Sequence, residues 1–352
     1  MLRILPSLRA AFDVEMATLR SGGVLESELP AGLPLHRVDA LGWVAAALRL
    51  RRIITRRRPA LALGFQEAAN IPLLLALRTL RRRPAVAVST QSAPSVVLAD
   101  ARPRTRARVT MAMRRLYPGA DRLVVAAEGV RRDLEDLAPT SAGRIRVIHN
   151  AGIDATVAAR AGEPWSHPFL SGAAPLLVAC GRLTEQKDYP TLLRAVAELT
   201  LRRDVRLVIL GDGPLRGDLE RLVRDLGIGN AVDLAGYTSN PHPCMARAQV
   251  FVLSSRSEGF GNVLVEALAL GVPIVSTDCP YGPREILDGG RYGMLVPPGD
   301  ATALADAIAR MLDDAQAAQA FAERGPERAL AFTAERSGAA YVAMLEELGA
   351  GR

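Results

Sequence analysis

The sequence predicts an α/β protein of two tandem domains, each a parallel sheet covered by helices on both faces. Three observations carry that prediction. At 352 residues the chain exceeds an ordinary single domain and accommodates two. Apolar residues make up 49% of it, enough for two cores. Short continuous apolar runs alternate with helical segments, the pattern of strands buried on both faces and joined by crossover helices.

In the first half, Leu2–Leu5 is compatible with a strand, and Phe12–Leu19 and Leu33–Val38 alternate like strands. Leu41–Thr55 reads as a helix with a basic end, where cations suit the dipole, and Pro59 stops it. Strands are then expected at Ala60–Leu63, Ala85–Ser89, Leu123–Ala126 and Ile145–Ile148. Helices are expected at Ala68–Leu80, Arg102–Arg115 and Glu128–Leu137. Gly152, Gly162, Pro164, Pro168, Gly172 and Pro175 break the pattern, so residues 151–175 read as a linker. Alternation resumes with strands at Leu176–Cys180, Val205–Leu210, Val232–Leu234, Phe251–Leu253 and Gly293–Val296. Helices fall at Tyr189–Leu199, Leu215–Leu226, Pro243–Ala248 and from about Asn262 to Leu270. Asp300 caps a helix through Leu312, a further one covers Ala315–Ala331, and Glu335–Leu348 is the last.

Composition narrows the function. Cys180, Cys244 and Cys279 are widely separated, so neither a zinc spacing nor a redox pair is present, and they read as reduced thiols. No apolar run approaches the ~18 residues of a membrane span, and MLRILPSLRA lacks a signal-peptide core, so a cytoplasmic location is expected. Residues 1–150 carry a charge balance of +13 and residues 151–352 one of −6, so the first half is expected to meet an anionic partner. Arginines in 49–58, 78–83 and 102–115 interleave with Leu48, Leu50, Ile53 and Ile54. This suits amphipathic faces on anionic lipid, or ordinary solvated helix ends. Nucleic acid is not expected as a partner, because no binding motif accompanies the arginines and aromatics are only 4%. Of 44 Lys+Arg, a single one is lysine, Lys187.

Three stretches carry chemistry. In 249–287 a buried strand leads through Glu258-Gly259-Phe260-Gly261-Asn262 into a helix bearing Glu266. Glycines allow a sharp turn and close backbone approach, and the helix start offers unpaired N–H groups to phosphate. The two carboxylates suit sugar and ribose hydroxyls; a capped helix with two exposed glutamates gives the same spacing. Gly181-Arg182-Leu183-Thr184-Glu185-Gln186-Lys187-Asp188 places two cations at another strand–helix turn, where a diphosphate leaving group needs them, or where surface charge is merely solvated. Lysine is a compact point charge that approaches one phosphate oxygen where a guanidinium does not fit. Gly211-Asp212-Gly213-Pro214 is a tight turn one residue out of step with a dinucleotide fingerprint.

In these stretches, Gly181–Lys187, Gly211–Pro214, Glu258–Glu266 and Ala269–Asp278, the chain resembles the retaining glycosyltransferases of group 1, family 4. The variant SRSEGFGNVLVEAL is similar to bacterial enzymes of polysaccharide and lipid-linked sugar synthesis. The resemblance implies a GT-B fold, two Rossmann-like domains with parallel sheets facing across a cleft. Residues 1–160 would form the acceptor domain, 161–334 the nucleotide-sugar domain, and 335–352 a helix crossing back to the first. It implies that Arg182 and Lys187 bind the donor diphosphate, Glu258 faces the sugar and Glu266 holds the ribose. Gly181, Gly211, Gly213, Gly259, Phe260, Gly261 and Asn262 would line the donor pocket. It implies a nucleotide-diphosphate-sugar donor, a glycan or lipid-linked acceptor, retention of configuration, no cofactor and no metal, at the inner face of the cytoplasmic membrane. The family's opening strand–turn–helix unit is expected to be absent or collapsed into residues 1–11, and Gln91 stands where the family tends to have histidine. Both departures suit an alternative: a weak or inactive homologue, or a truncated reading frame, acting as a donor-binding or partner subunit.

Overall fold

Every strand pair in the computed structural model, which describes residues 1–22, 26, 28–99 and 101–351, is parallel. Apolar runs buried on both faces dictate this, because crossover helices must cover each side. The chain divides into two units, Met1–Ala151 with Ala334–Arg352, and Gly152–Thr333.

Unit 1 begins with a 3-10 turn at Leu2–Ile4 and α1 (Leu5–Ala11). There follow β1 (Met16–Thr18), β2 (Leu35–Arg37), α2 (Gly42–Arg57), β3 (Leu61–Phe65), α3 (Glu67–Leu77), β4 (Ala85–Thr90) and α4 (Pro94–Ala99). Next come α5 (Pro103–Leu116), β5 (Arg122–Val125), α6 (Glu128–Leu137) and β6 (Ile145–Val147). Strands β3 to β6 form one sheet in chain order, and β1 and β2 form a separate pair. Helix α4 went unread because six residues after a proline carry too little periodicity.

Unit 2 contains α7 (Thr156–Ala161), β7 (Leu176–Cys180), α8 (Tyr189–Thr200), β8 (Arg206–Leu210), α9 (Arg216–Asp225) and β9 (Val232–Gly236). After these come α10 (His242–Met245), β10 (Val250–Leu253), α11 (Asn262–Ala269), β11 (Ile274–Thr277), α12 (Pro283–Ile286), β12 (Met294–Val296), α13 (Ala301–Asp313) and α14 (Ala315–Ala329). The sheet order is β12-β11-β10-β7-β8-β9. Winding runs outward from β7 in one direction and from β10 in the other, which is the doubly wound Rossmann order. Its switch point lies between β7 and β10, and ligands of such sheets bind at the carboxyl ends there. Leu177, Ile209 and Val252 from the strands pack with Leu192, Val196, Leu304 and Ile308 from α8 and α13, all fully buried. Each such side chain contributes roughly 1.5–3 kcal/mol.

The boundary falls at Ala151–Gly152, earlier than residue 160, because α7 packs on α10 and α11 within unit 2. The supposed linker therefore contains a helix of the second unit. The last helix, α15 (Ala334–Ala350), belongs to unit 1. Its Met344, Leu345 and Leu348 pack with Ile4, Leu8, Ala87 and Val124, and its Tyr341 hydroxyl lies 3.0 Å from Ser89 Oγ. Helix α15 also explains the one misread element type. Leu2–Leu5 is helical rather than extended, since Leu5 and Leu8 fall on one face that α15 covers. A four-residue stretch with three apolar residues has no period of its own, so the packing partner decides its conformation.

Gly338 in α15 shows how close that packing is: a Cβ there would meet Ser7 Oγ and stand 2.6 Å from Ser7 Cβ. Helix propensity alone makes Gly338→Ala stabilising by about 1 kcal/mol. Overpacking against α1 reverses the sign, and we expect a net loss of about 1–3 kcal/mol in urea unfolding. A net gain would show that α1 does not seat there.

Candidate functional site

At the switch point the strands on either side carry their helices to opposite faces, and the loops leaving β7 and β10 are left facing each other. Side chains sew them together. Ser254 Oγ donates to the Lys187 carbonyl at 2.8 Å, and Gln186 Nε2 donates to the Ser257 carbonyl at 2.9 Å. Arg256 N donates to the Gln186 carbonyl at 2.8 Å, and the Arg256 guanidinium pairs with the buried Asp188 at 3.0 Å. Asp188 sits at φ 46°, a left-handed conformation that turns the chain into α8, and its carboxylate also accepts from Thr191 Oγ1.

The two predicted charges meet in the middle of this seam. Lys187 Nζ lies 2.7 Å from Glu258 Oε1, with the side chains 16% and 8% exposed. The same oxygen accepts from Ser255 Oγ at 2.6 Å, and Thr277 Oγ1 in turn donates to the Ser255 carbonyl. Removing one partner of so buried a pair costs about 3–5 kcal/mol. Glycine at 181 follows from the lysine: a Cβ there would stand 2.9 Å from Lys187 Cε, so the lysine stem runs across the glycine. Arg182 projects from the same loop into solvent and forms no ion pair with a described residue.

Gly211 and Gly213 have a packing reason. A Cβ at Gly211 would fall 2.0 Å from the Gly181 carbonyl oxygen, and one at Gly213 would fall 2.4 Å from that of Leu183. The β8–α9 loop is pressed onto the β7–α8 loop and holds it in place. On the other side, Gly261 at φ 101° starts α11, and Asn262 is exposed on its first turn. The Phe260 ring points inward, packed edge-on against Phe332 at 5.4 Å, so only its backbone is available to a ligand. Glu266, on the second turn of α11, is 13% exposed on its side chain and faces His242 at 3.7 Å.

Electrostatics link these groups. Burial and the Glu266 carboxylate push the Cys180 thiol up to about 12, against a lowering by Lys187. Burial and Glu258 push Cys279 to about 12 as well. Cys180 therefore feels both Glu266 and Lys187, and the predicted residues share one region of unit 2. Sequence reasoning missed Ser255, Gln186, Asp188, Arg256 and His242. The first four are common residue types whose role depends on loops brought together by the sheet order. His242 stood in a Pro-rich turn, Asn240-Pro241-His242-Pro243, whose only sequence signal was the scarcity of histidine. Among the described residues no three of His, Cys, Asp and Glu are grouped so as to hold a metal ion.

Comparison with known proteins gives the family and the fold. Residues 174–314 match the family model described as glycosyl transferases group 1, and residues 1–156 that described as glycosyltransferase family 4. The chain is 31% identical over 217 residues to an N-acetylgalactosamine-N,N'-diacetylbacillosaminyl-diphospho-undecaprenol 4-alpha-N-acetylgalactosaminyltransferase of Campylobacter jejuni, covering 62% of this chain and 58% of that protein. It is 39% identical over 173 residues to the lipopolysaccharide core biosynthesis glycosyltransferase LpsE of Rhizobium meliloti, covering 49% and 50%. The chain thus spans about half the length of these curated relatives. Among solved structures, the fold matches Anabaena HepE in complex with UDP and glucose, with a TM-score of 0.80 and 18% identity over 98% of this chain and 95% of that one. A Rickettsia africae glycosyltransferase matches at TM-score 0.81 and 16% identity, over 99% and 93%. These two likenesses establish a GT-B fold.

The three thiols offer a test of the packing around the site. Cys244, like the other two, is pushed to about 12, mainly by burial. At pH 8 each is then almost wholly protonated, and the thiolate is the reactive species. Alkylation in the native state is expected to be on the order of 10³-fold slower than in guanidinium, where an ordinary thiol pKa of about 8.5 applies. A thiol reacting at the unfolded rate would place that cysteine outside the packed region.

Proposed function

The chain belongs to the group 1, family 4 glycosyltransferases, and on that premise we propose that it moves a sugar from a nucleotide-diphosphate-sugar to a polysaccharide or lipid-linked acceptor. The proposed transfer retains anomeric configuration, needs no metal and takes place at the inner face of the cytoplasmic membrane. The observation that carries this reading is the Lys187–Glu258 pair at the switch point, with Arg182 on the same loop and the start of α11 beside it. An ammonium has three N–H donors, so Lys187 holds Glu258 with one and keeps two for a diphosphate. In transfer the anomeric C–O bond breaks with its electron pair going to the phosphate oxygen. The acceptor hydroxyl oxygen forms the new bond and its proton passes to the departing diphosphate. Lys187, Arg182 and the α11 N–H groups lie where that negative charge develops. Glu258 and Glu266 accept hydrogen bonds from donor hydroxyls. The Campylobacter relative, named for a diphospho-undecaprenol-linked acceptor, supports an acceptor of that class.

Turnover by the purified chain tests this reading and separates it from a donor-binding subunit without activity, which would keep the same Lys187–Glu258 geometry. Nucleoside diphosphate release from UDP-sugars and GDP-sugars in the presence of lipid-linked glycan is expected, and EDTA leaves it unchanged. Lys187→Ala is expected to lower kcat/KM on the order of 10²-fold or more. An unchanged value in a variant that remains folded would remove Lys187 from the site.

Unit 1 supplies the membrane part of the proposal. Of the apolar residues the sequence pointed to, Leu50 and Ile54 of α2 are buried and Leu48 is exposed, where it forms a ridge with the exposed Leu41 and Val44. Arg51, Arg52 and Arg56, all exposed, flank it. Apolar residues beside arginines suit an anionic lipid interface. The described residues include no helix long and apolar enough to cross a membrane. Sedimentation with anionic vesicles is expected at low salt and is reversed as salt screens the charges. Equal binding to neutral vesicles would overturn the electrostatic part.

A further inference from the structure

His242 is a buried titratable group of unit 2 that the proposed transfer leaves unused. It opens α10 with its side chain 2% exposed, and its Nε2 has no hydrogen-bond partner among the described residues, although it lies 3.7 Å from Glu266 Oε2. The neighbouring Asn240 settles which ring nitrogen carries hydrogen. Asn240 Nδ2 donates to the Arg160 carbonyl at 3.0 Å and to Glu163 Oε2 at 2.8 Å. Both of those are acceptors only, so the amide cannot be turned over. Its Oδ1 must therefore face His242, 3.3 Å from the backbone N–H and 3.0 Å from Nδ1. An amide oxygen only accepts, so Nδ1 carries a hydrogen. In a neutral ring Nε2 would then point a lone pair at a carboxylate, an arrangement that a buried site does not hold without a proton between the two.

We propose that His242 is a positioning residue for Glu266: Asn240 holds the ring through Nδ1–H, and Nε2–H orients the carboxylate toward the ribose hydroxyls of a bound nucleoside diphosphate. This rests on the reading that unit 2 binds a nucleotide-sugar. The charged and titratable groups around the ring are consistent with it. Glu266 comes from α11, and Cys180 of β7 lies in the field of the same carboxylate. On α10 itself, Cys244 is a thiol pushed up by burial, and Arg247 is turned away to the Pro243 carbonyl. From α7 and its exit, the Arg160 guanidinium is engaged by the Ser239 carbonyl and Glu163 by Asn240. Asp233 of β9 pairs with His167. Of these, Glu266 is the carboxylate within ion-pair distance of Nε2.

Two measurements test the proposal. The first is affinity for UDP and 2'-deoxy-UDP, with GDP and ADP and their deoxy forms run in parallel. The wild type is expected to favour the ribonucleotide by about tenfold or more, since a site built to bond a hydroxyl rejects the ligand without it. His242→Phe, of similar shape and without a donor, is expected to weaken ribonucleotide binding about tenfold while leaving the deoxynucleotide within about twofold. His242→Gln, which restores an N–H, is expected to recover most of the loss. If His242→Phe weakens both ligands equally, or neither, while Glu266→Gln weakens the ribonucleotide, the positioning role is wrong and the nucleotide reading stands. The second measurement is nitrogen NMR of the histidine rings, assigned through His242→Gln; it needs no ligand. Nδ1 is expected to carry hydrogen, and the Nε2 resonance to report a bond to the Glu266 carboxylate that is lost in Glu266→Gln. An Nε2 resonance that Glu266→Gln leaves unchanged would overturn the proposal. If no nucleoside diphosphate binds, the functional reading falls, and the NMR result still decides whether His242 holds Glu266.

Discussion

The ion pair between Lys187 and Glu258 is the interaction on which the rest of unit 2 depends. It closes the seam between the two loops that leave the sheet at its switch point, where helices diverge and backbone groups would otherwise lose their partners. The surrounding bonds only make sense with it. Ser255 turns its hydroxyl to the same glutamate oxygen, Ser254 holds the lysine carbonyl, and Gln186 and Arg256 cross between the loops. A buried ion pair on its own is weak evidence for stability, since desolvation offsets much of the attraction. Here the pair sits among satisfied hydrogen bonds, with the lysine side chain 16% exposed at the edge of solvent.

The single lysine also explains its neighbours. Its stem runs over Gly181, Gly211 packs on the Gly181 carbonyl, and Gly213 packs on that of Leu183. Three glycines that the resemblance assigns to the donor pocket are thus a stack of close backbone approaches beneath the loop that carries the lysine. Arginine at 187 would have to place a planar fork where the buried side has room for a point charge and an exit toward Glu258. In a chain with 43 arginines, the single lysine stands at this position.

Much of the fold was legible for a simple reason. Parallel strands buried on both faces are continuous apolar runs, and β7, β10 and α6 coincide with the expected segments to within a residue. Segments without a period of their own were not legible. Leu2–Leu5 became helical because α15 covers its face, and α7 lay hidden among the glycines and prolines of 151–175. In the site, charge and spacing exposed Arg182, Lys187, Glu258 and Glu266. Ser255, Asp188 and His242 could not be exposed that way, because their partners lie on other loops. Phe260 shows the converse: sequence adjacency placed it in the pocket, and packing against Phe332 turned its ring into the core.

The sequence by itself determined the class of fold, the alternation that makes a parallel sheet, and the charged residues of the candidate site, since these rest on periodicity and on residue types with few other uses. Tertiary structure alone decided that Lys187 and Glu258 touch, that Gly211 and Gly213 serve packing, and that His242 faces Glu266. The physical reason is the sheet order. It brings β7 beside β10 although α8, β8, α9, β9 and α10 lie between them in the chain, and no local pattern encodes which loops will meet across a switch point.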